Sequence, residues 1–419
     1  MAVGGPAVRR RPEWPTPADF QPAPTADQHR AWAAADAAAR PARLARLRAR
    51  FAAADIDAYF GVRREHMRYL TGFTLADGEE KVAGNSGQFL VAGEELVVLA
   101  DSRYAIQAQR EAPEARLEAA YGNLPDRWEA LCASVGAHRV GMEAGFVSHA
   151  MWTRLATAAP NVELVPIEGW LEADRAVKEP AELERIGAAC AVADRALAAL
   201  LPEIVPGTTE ADLALRLEWL MRTGGAEALA FDVACLSGPE AALPHGAPGD
   251  RPVVDGTVLL FDFGAQVAGY RSDMTRTLFV GEPSARHLEV YELVARAQAA
   301  AIDALDTAVD AGPDAGPMPS GRAIDAVARA VITDAGHGDH FGHGTGHGIG
   351  LATHEAPSLG TSAPDTPLAT PTVFSVEPGV YLAGEMGVRI EDLVHVDAAA
   401  GRVERLTHFP RDVVVVGAG

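Results

Sequence analysis

The sequence predicts a two-domain chain of mixed α and β elements. An α/β layer runs to about Asp174, and a region of helices and strands completes the chain. Three observations carry this. Short apolar runs alternate with helical patterns before Asp174. The polar stretch Arg175-Ala176-Val177-Lys178-Glu179-Pro180 interrupts that alternation. Beyond it, three strand-like segments hold ionisable residues inside apolar runs. A length of 419 residues is also enough for two cores.

The elements follow in order. Residues 1–30 are rich in proline (Pro12, Pro15, Pro17, Pro22, Pro24) and read as a loose N-terminal arm. The first domain is expected over 31–174. Leu44, Leu47 and Phe51 recur at helical spacing within Ala31–Ala54. Ala58–Val62 reads as a strand, and residues 88–100 as a hairpin around Ala92-Gly93-Glu94. Helices near 103–111 and 125–135 and strands near 138–142 and 162–166 complete this layer. The second domain is expected over 175–419, with Arg175–Pro180 as a polar link. It opens with an amphipathic helix over Ala181–Leu201. Thr209, with Asp212 three residues on, then caps a helix running to Thr223. Helices are expected over 285–306 and 322–335, joined by a Gly/Pro/Asp-rich loop over 307–321.

Composition narrows the function. The formal net charge is -21 and the pI about 5.0, which argues against nucleic acid as a partner. No apolar run is long enough for a membrane helix, and Arg9-Arg10-Arg11 has no apolar stretch after it to make a signal peptide. Cys132, Cys190 and Cys235 are far apart and odd in number, so they read as buried thiols in a reducing compartment. These features suit a cytoplasmic protein.

The chemistry lies in the C-terminal half. Asp262 ends the run Val258-Leu259-Leu260-Phe261-Asp262-Phe263-Gly264, and Asp273 follows after a loop short enough to return it to the same point. Glu377 ends Val373-Phe374-Ser375-Val376-Glu377, and Glu391 lies in Val388-Arg389-Ile390-Glu391-Asp392. Lone carboxylates in apolar runs are costly to bury and repel one another. Two divalent cations would cancel four such charges, and His347 would complete their shell, which points to a two-metal hydrolase. In Phe341-Gly342-His343-Gly344-Thr345-Gly346-His347-Gly348-Ile349-Gly350, an extended chain puts His343, Thr345, His347 and Ile349 on one face. The glycines opposite allow close backbone approach. Arg389 shares a face with Glu391. It could grip a substrate carboxylate, bond a metal-binding carboxylate, or form a plain ion pair. His245 lies in a loop before the Asp262 run. A kinase, a GxSxG hydrolase, a HExxH zincin and a GxGxxG dinucleotide site are each unsupported, because their remaining motif residues are missing.

Together these residues resemble the metallopeptidases of the creatinase or pita-bread fold, such as aminopeptidase P and prolidase. The matching segments are Leu243-Pro244-His245-Gly246, Asp262-Phe263-Gly264, Ser272–Thr277, His343–Gly350, His354-Glu355-Ala356-Pro357, Glu377–Tyr381 and Val388–Asp392. Arg68–Phe73 and Asp101–Tyr104 extend the likeness to the N-terminal domain that methionine aminopeptidases lack. Creatinase itself lacks the metal ligands that are intact here. The resemblance implies an α/β N-terminal domain followed by an α+β pita-bread catalytic domain, with a curved, mainly antiparallel sheet flanked by helices. It implies two divalent metals, with Asp273 and Glu391 shared, Asp262 on one ion, and His347 with Glu377 on the other. The oxygen-rich shell favours Mn²⁺, with Co²⁺ or Zn²⁺ as alternatives. Glu377 would accept a proton, and His354 would stabilise the oxyanion or relay that proton. His245 and His343 would line the substrate pocket. The expected activity is that of a cytoplasmic Xaa-Pro aminopeptidase, acting as a homodimer or higher oligomer on peptides with proline second. A prolidase restricted to Xaa-Pro dipeptides is the near alternative. A catalytically silent binding module is the alternative of another class.

Overall fold

The structure, a computed structural model, describes residues 7–75, 86–119 and 124–417. The chain divides into two compact units, Arg30–Asp174 and Arg175–Gly419 together with Met1–His29.

The Arg30–Asp174 unit is built on a six-stranded mixed sheet. Its order is Arg116–Ala119, Glu95–Ala100, Phe89–Ala92, Ala58–Gly61, Arg139–Glu143, Glu163–Ile167. The central strand Ala58–Gly61 is buried at every position and pairs antiparallel with Phe89–Ala92 and parallel with Arg139–Glu143. Burial at every position explains why Ala58–Gly61 and Phe89–Ala92 read as unbroken apolar runs. Gly93, at φ 44°, turns the chain between Phe89–Ala92 and Glu95–Ala100, a backbone conformation that a side chain resists. Phe60 packs edge-on against Trp128 at 5.1 Å within the core. The helices Arg64–Thr71 and His149–Ala158 were not foreseen from the sequence. The first is short and the second carries little apolar stripe.

In the second unit, a five-stranded sheet runs in the order Val8–Arg9, Val413–Val416, Met274–Val280, Thr257–Phe263, Ala234–Ser237. A second runs Glu355–Leu359, Gly346–Gly348, Thr372–Val376, Asp392–Asp397, Arg402–Arg405. Most pairings are antiparallel. The helices Ala285–Ala311 and Gly321–Asp334 pack with these strands in one apolar core, which includes Leu260, Phe279, Leu305, Ile324, Phe374 and Val394. This is the α+β class expected, with a mainly antiparallel sheet flanked by helices. Thr209 caps its helix as read, its Oγ1 accepting from the Asp212 amide at 3.1 Å. The helix expected to end at 306 continues to Ala311, so the following loop is shorter than expected. No helix among the described residues is long and apolar enough to cross a membrane.

One expectation is corrected. The arm is not loose over its described part, residues 7–30. Val8–Arg9 adds a parallel edge strand to Val413–Val416, Trp14 Nε1 donates to the Val415 carbonyl at 3.0 Å, and Phe20 stacks on Phe409. Residues 1–6 lie outside the described residues. The polar link stands, with a feature the sequence did not show. Arg175 and Lys178 are each only 2 % exposed. Both bind the Glu355 carboxylate, Lys178 Nζ at 3.3 Å.

Candidate metal centre

Strand pairing brings the carboxylates together. In the hairpin of Thr257–Phe263 and Met274–Val280, Asp262 lies opposite Thr275, so Asp273 at the strand entrance comes back beside it. Strand Thr372–Val376 pairs with Asp392–Asp397 with Val376 opposite Asp392, which sets Glu377 and Glu391 at the same end of that pair. On the other side of Thr372–Val376, between it and Glu355–Leu359, runs Gly346–Gly348, carrying His347. A Cβ at Gly346 would collide with the Ser375 carbonyl, and one at Gly348 with that of Ala356. Glycine there lets the His347 strand close on both neighbours.

The result is a cavity of about 610 Å³, lined by Asp262, Asp273, His347, Glu377 and Glu391, and also by His245, His343, His354 and Arg389. Ligand atoms of Asp273, His347 and Glu391 lie within 4.8 Å of one another. His347 Nε2 is 3.3 Å from Glu377 Oε1 and 3.7 Å from Asp273 Oδ2. Asp262 joins through Arg389, whose guanidinium binds Asp262 Oδ2 and lies 3.9 Å from Glu377 Oε2. Thus all nine residues singled out from the sequence line one cavity.

The electrostatics describe a site built for cations. Burial first, then Glu391, Asp262 and Glu377, pushes the Asp273 carboxyl well above its usual range. Burial, then Glu377 and Asp262, does the same to Glu391. Asp262 is raised by burial and by Glu377, against the pull of Arg389. Glu391 Oε2 accepts from Thr275 Oγ1 at 2.7 Å, while the buried Oε1 has no hydrogen-bond partner. A buried carboxylate oxygen without a donor is costly, and a cation would satisfy it. The donor set, carboxylate oxygens with one imidazole, suits divalent ions. The residues present therefore fit a metal centre.

The surrounding side chains also acquire definite states. The Gly344 carbonyl can only accept, so His343 carries its proton on Nδ1 (2.8 Å) and receives the Tyr381 hydroxyl on Nε2 (2.8 Å). Arg389 donates in turn to Tyr381 Oη at 2.9 Å and to Thr275 Oγ1 at 2.8 Å. Burial lowers the His343 pKa, so the ring is neutral. Both its nitrogens are bonded within the protein, and it presents a ring wall to the cavity. Arg389 is 3 % exposed, and of the roles its position allowed the structure shows the bond to a site carboxylate. Tyr381, Thr275 and Ser375 were not singled out from the sequence. Ser375 Oγ donates to Glu377 Oε1 at 2.9 Å and accepts from the His347 amide at 3.0 Å. Their signal was a hydroxyl two residues from Asp273 (Thr275) and from Glu377 (Ser375), and four residues after Glu377 (Tyr381).

His354 sits at the open side, its ring 4.2 Å from that of His347. Partial burial, then His347, lowers its pKa. The loop that carries it is anchored by Glu355, whose Oε1 accepts the Ala352 amide at 2.7 Å and binds Arg175. Burial alone would raise the Glu355 pKa. Arg175 and Lys178 outweigh it and bring the value to about 2. A depressed carboxylate pKa contributes stability above the unfolded value of about 4.3 and loses it as pH falls through the folded value. Glu355→Gln is therefore expected to cost about 3–5 kcal/mol at pH 7, because it removes the buried negative charge that Arg175 and Lys178 share. In urea unfolding at pH 7, 4 and 3, the gap from wild type should narrow steadily. A gap independent of pH would show that the ion pairs do not carry it.

Comparison with known proteins agrees with this geometry. The sequence pattern described as "Metallopeptidase family M24" matches residues 184–398, just over half of the chain. The chain belongs to metallopeptidase family M24. The "Creatinase/Prolidase N-terminal domain" pattern matches residues 43–177. This M24 chain is 32 % identical to the uncharacterized peptidase YqhT of Bacillus subtilis (strain 168), over 89 % of its own length and 100 % of that protein. The solved Xaa-Pro dipeptidase from Bacillus anthracis superposes with a TM-score of 0.80 at 32 % identity, covering 90 % of this chain and 100 % of that one. The X-Pro aminopeptidase from Thermotoga maritima MSB8 gives 0.74 at 33 % identity, covering 86 % and 98 %. The fold is thus a creatinase-type N-terminal domain with a pita-bread catalytic domain, and the M24 chain is a metallopeptidase, a hydrolase.

Proposed function

We propose that this M24 peptidase hydrolyses Xaa-Pro bonds, releasing the residue that precedes proline. The observation that carries the reading is the convergence of Asp262, Asp273, His347, Glu377 and Glu391 on one cavity, with Glu391 Oε1 left without a donor. Asp273 and Glu391 would be shared between two ions, Asp262 would complete one, and His347 with Glu377 the other. Two divalent ions, Mn²⁺ on this donor set with Co²⁺ or Zn²⁺ as alternatives, would supply charge neutralisation and Lewis acidity.

The chain's own groups supply the rest. Ser375 Oγ orients the Glu377 carboxylate toward the cavity, where it takes the proton of the attacking water. His354, neutral and at the open side, donates to the oxygen that develops negative charge, or passes the proton to the prolyl nitrogen. His245 and the His343 ring wall line the space for the substrate.

Two substrate lengths fit this reading. Release of the first residue from longer Xaa-Pro peptides is the broader activity, and restriction to dipeptides is the narrower one. The Xaa-Pro dipeptidase of Bacillus anthracis, with its larger TM-score and full coverage, supports the narrower at least as well. Mn²⁺-loaded protein should be given Xaa-Pro and Xaa-Pro-Yaa-Zaa peptides. Cleavage of both is the outcome expected of an aminopeptidase. A kcat/KM for the dipeptide about 100-fold or more above the tetrapeptide value would assign a prolidase. No hydrolysis of either would overturn the proposal.

A further inference from the structure

Helix Ala285–Ala311 buries Val294, Ala297, Ala301 and Leu305 on one face, and Gln298 sits in the middle of that stripe with 0 % exposure. An amide where the pattern calls for an apolar side chain needs partners. Gln298 Nε2 donates to the Val376 carbonyl at 3.1 Å and to the Ile390 carbonyl at 3.2 Å, and lies 3.1 Å from Asp392 Oδ2. Its Oε1 accepts from Arg411 at 3.1 Å. Only this orientation of the amide works, because a guanidinium only donates and a carbonyl only accepts.

The two carbonyls belong to the peptide units that immediately precede Glu377 and Glu391. The other ends of the same units are also tied. The Glu377 amide donates to the Thr345 carbonyl at 2.8 Å, and the Glu391 amide to the Thr275 carbonyl at 3.2 Å. A planar peptide held at both its oxygen and its nitrogen fixes the Cα that follows. One buried amide thereby couples the backbone under two site carboxylates that lie on different strand ends.

We propose that Gln298 is a positioning residue whose side-chain amide sets the separation of Glu377 and Glu391. This rests on the metal-centre reading given above. It requires that loss of the amide loosen cation binding and not merely the fold.

The test compares wild type, Gln298→Met and Leu305→Ala. Methionine keeps the volume and removes the amide that donates to both carbonyls. Leu305 lies two turns along the same buried face and touches neither strand end by a polar bond, so it reports simple loss of packing. Mn²⁺ is titrated calorimetrically into metal-free protein well below each melting temperature, and kcat and KM are measured separately. Gln298→Met is expected to weaken at least one Mn²⁺ step by about 10- to 100-fold, and to lower kcat with KM within about two-fold. Leu305→Ala is expected to melt earlier and bind Mn²⁺ as wild type does. Should Gln298→Met not fold, Gln298→Asn, one methylene short of the carbonyls, carries the same test. Wild-type Mn²⁺ affinity in the Gln298 variant, or an equal loss in Leu305→Ala, overturns the inference while leaving the metal centre standing. A wild-type chain that takes up no Mn²⁺ overturns the proposed function itself.

Discussion

Asp273→Ala is expected to abolish peptide hydrolysis while leaving the fold intact. Asp273 is 4 % exposed and closes the tight group with His347 and Glu391. Its carboxylate would serve both ions, so its loss removes a ligand from each. With several kcal/mol of transition-state stabilisation at stake, activity should fall about 10³-fold or more. The metal-free fold should not suffer, and the sign can be worked out. A carboxyl pKa raised by burial and by Glu391 means that the folded state holds the proton more tightly than the unfolded chain. Metal-free stability then falls as pH rises from the unfolded value of about 3.9 toward the folded one. Above the unfolded value the buried Asp273 carboxyl is therefore a cost to the metal-free fold, and removing it takes one carboxyl away from the crowd of Glu391, Asp262 and Glu377. The chelator-treated variant should therefore melt at or above the wild-type temperature. Mn²⁺ at a hundred times Kd stabilises a binding-competent chain by about 2.7 kcal/mol. Asp273→Ala should lose that increment. A variant that keeps full turnover, or that melts far below wild type without metal, would refute this account.

His354→Ala is expected to keep its metal and lose catalysis. His354 lies beside His347 but outside the group of converging ligand atoms. Its neutral ring can offer one N–H toward developing charge. Loss of one such donor costs about 10²-fold or more in kcat with little change in KM. Metal content and the Mn²⁺ melting shift should match wild type. Metal loss in this variant would place His354 among the ligands and reverse the division of roles with Asp273.

Much of this site was legible in the sequence because its cost is local. Asp262, Glu377 and Glu391 each interrupt an apolar strand, and burying a lone charge is so unfavourable that compensation must exist nearby. Even spacing of His343 and His347 among glycines was readable for the same reason, since a two-residue period fixes a face whatever the partner. The Thr209 cap lay within four residues and needed no tertiary knowledge. What stayed hidden had distant partners. Arg175 and Lys178 read only as part of a polar link, and their burial against Glu355 was not legible because Glu355 lies far along the chain. The proline-rich arm read as loose because its partner strand, Val413–Val416, is at the opposite end. Arg389 kept several roles open until its guanidinium was seen against Asp262.

By itself the sequence determined the class of fold, the anionic residues that must share a site, and the need for cations to balance them. Periodicity and the price of an isolated charge are properties of a few neighbouring residues. The tertiary structure alone decided which hydroxyls orient those carboxylates, that His343 is bonded at both nitrogens, and that Gln298 spans the strand ends beneath Glu377 and Glu391. Those are hydrogen bonds between segments brought together by sheet register and helix packing. Their directions are set only when the whole core has closed.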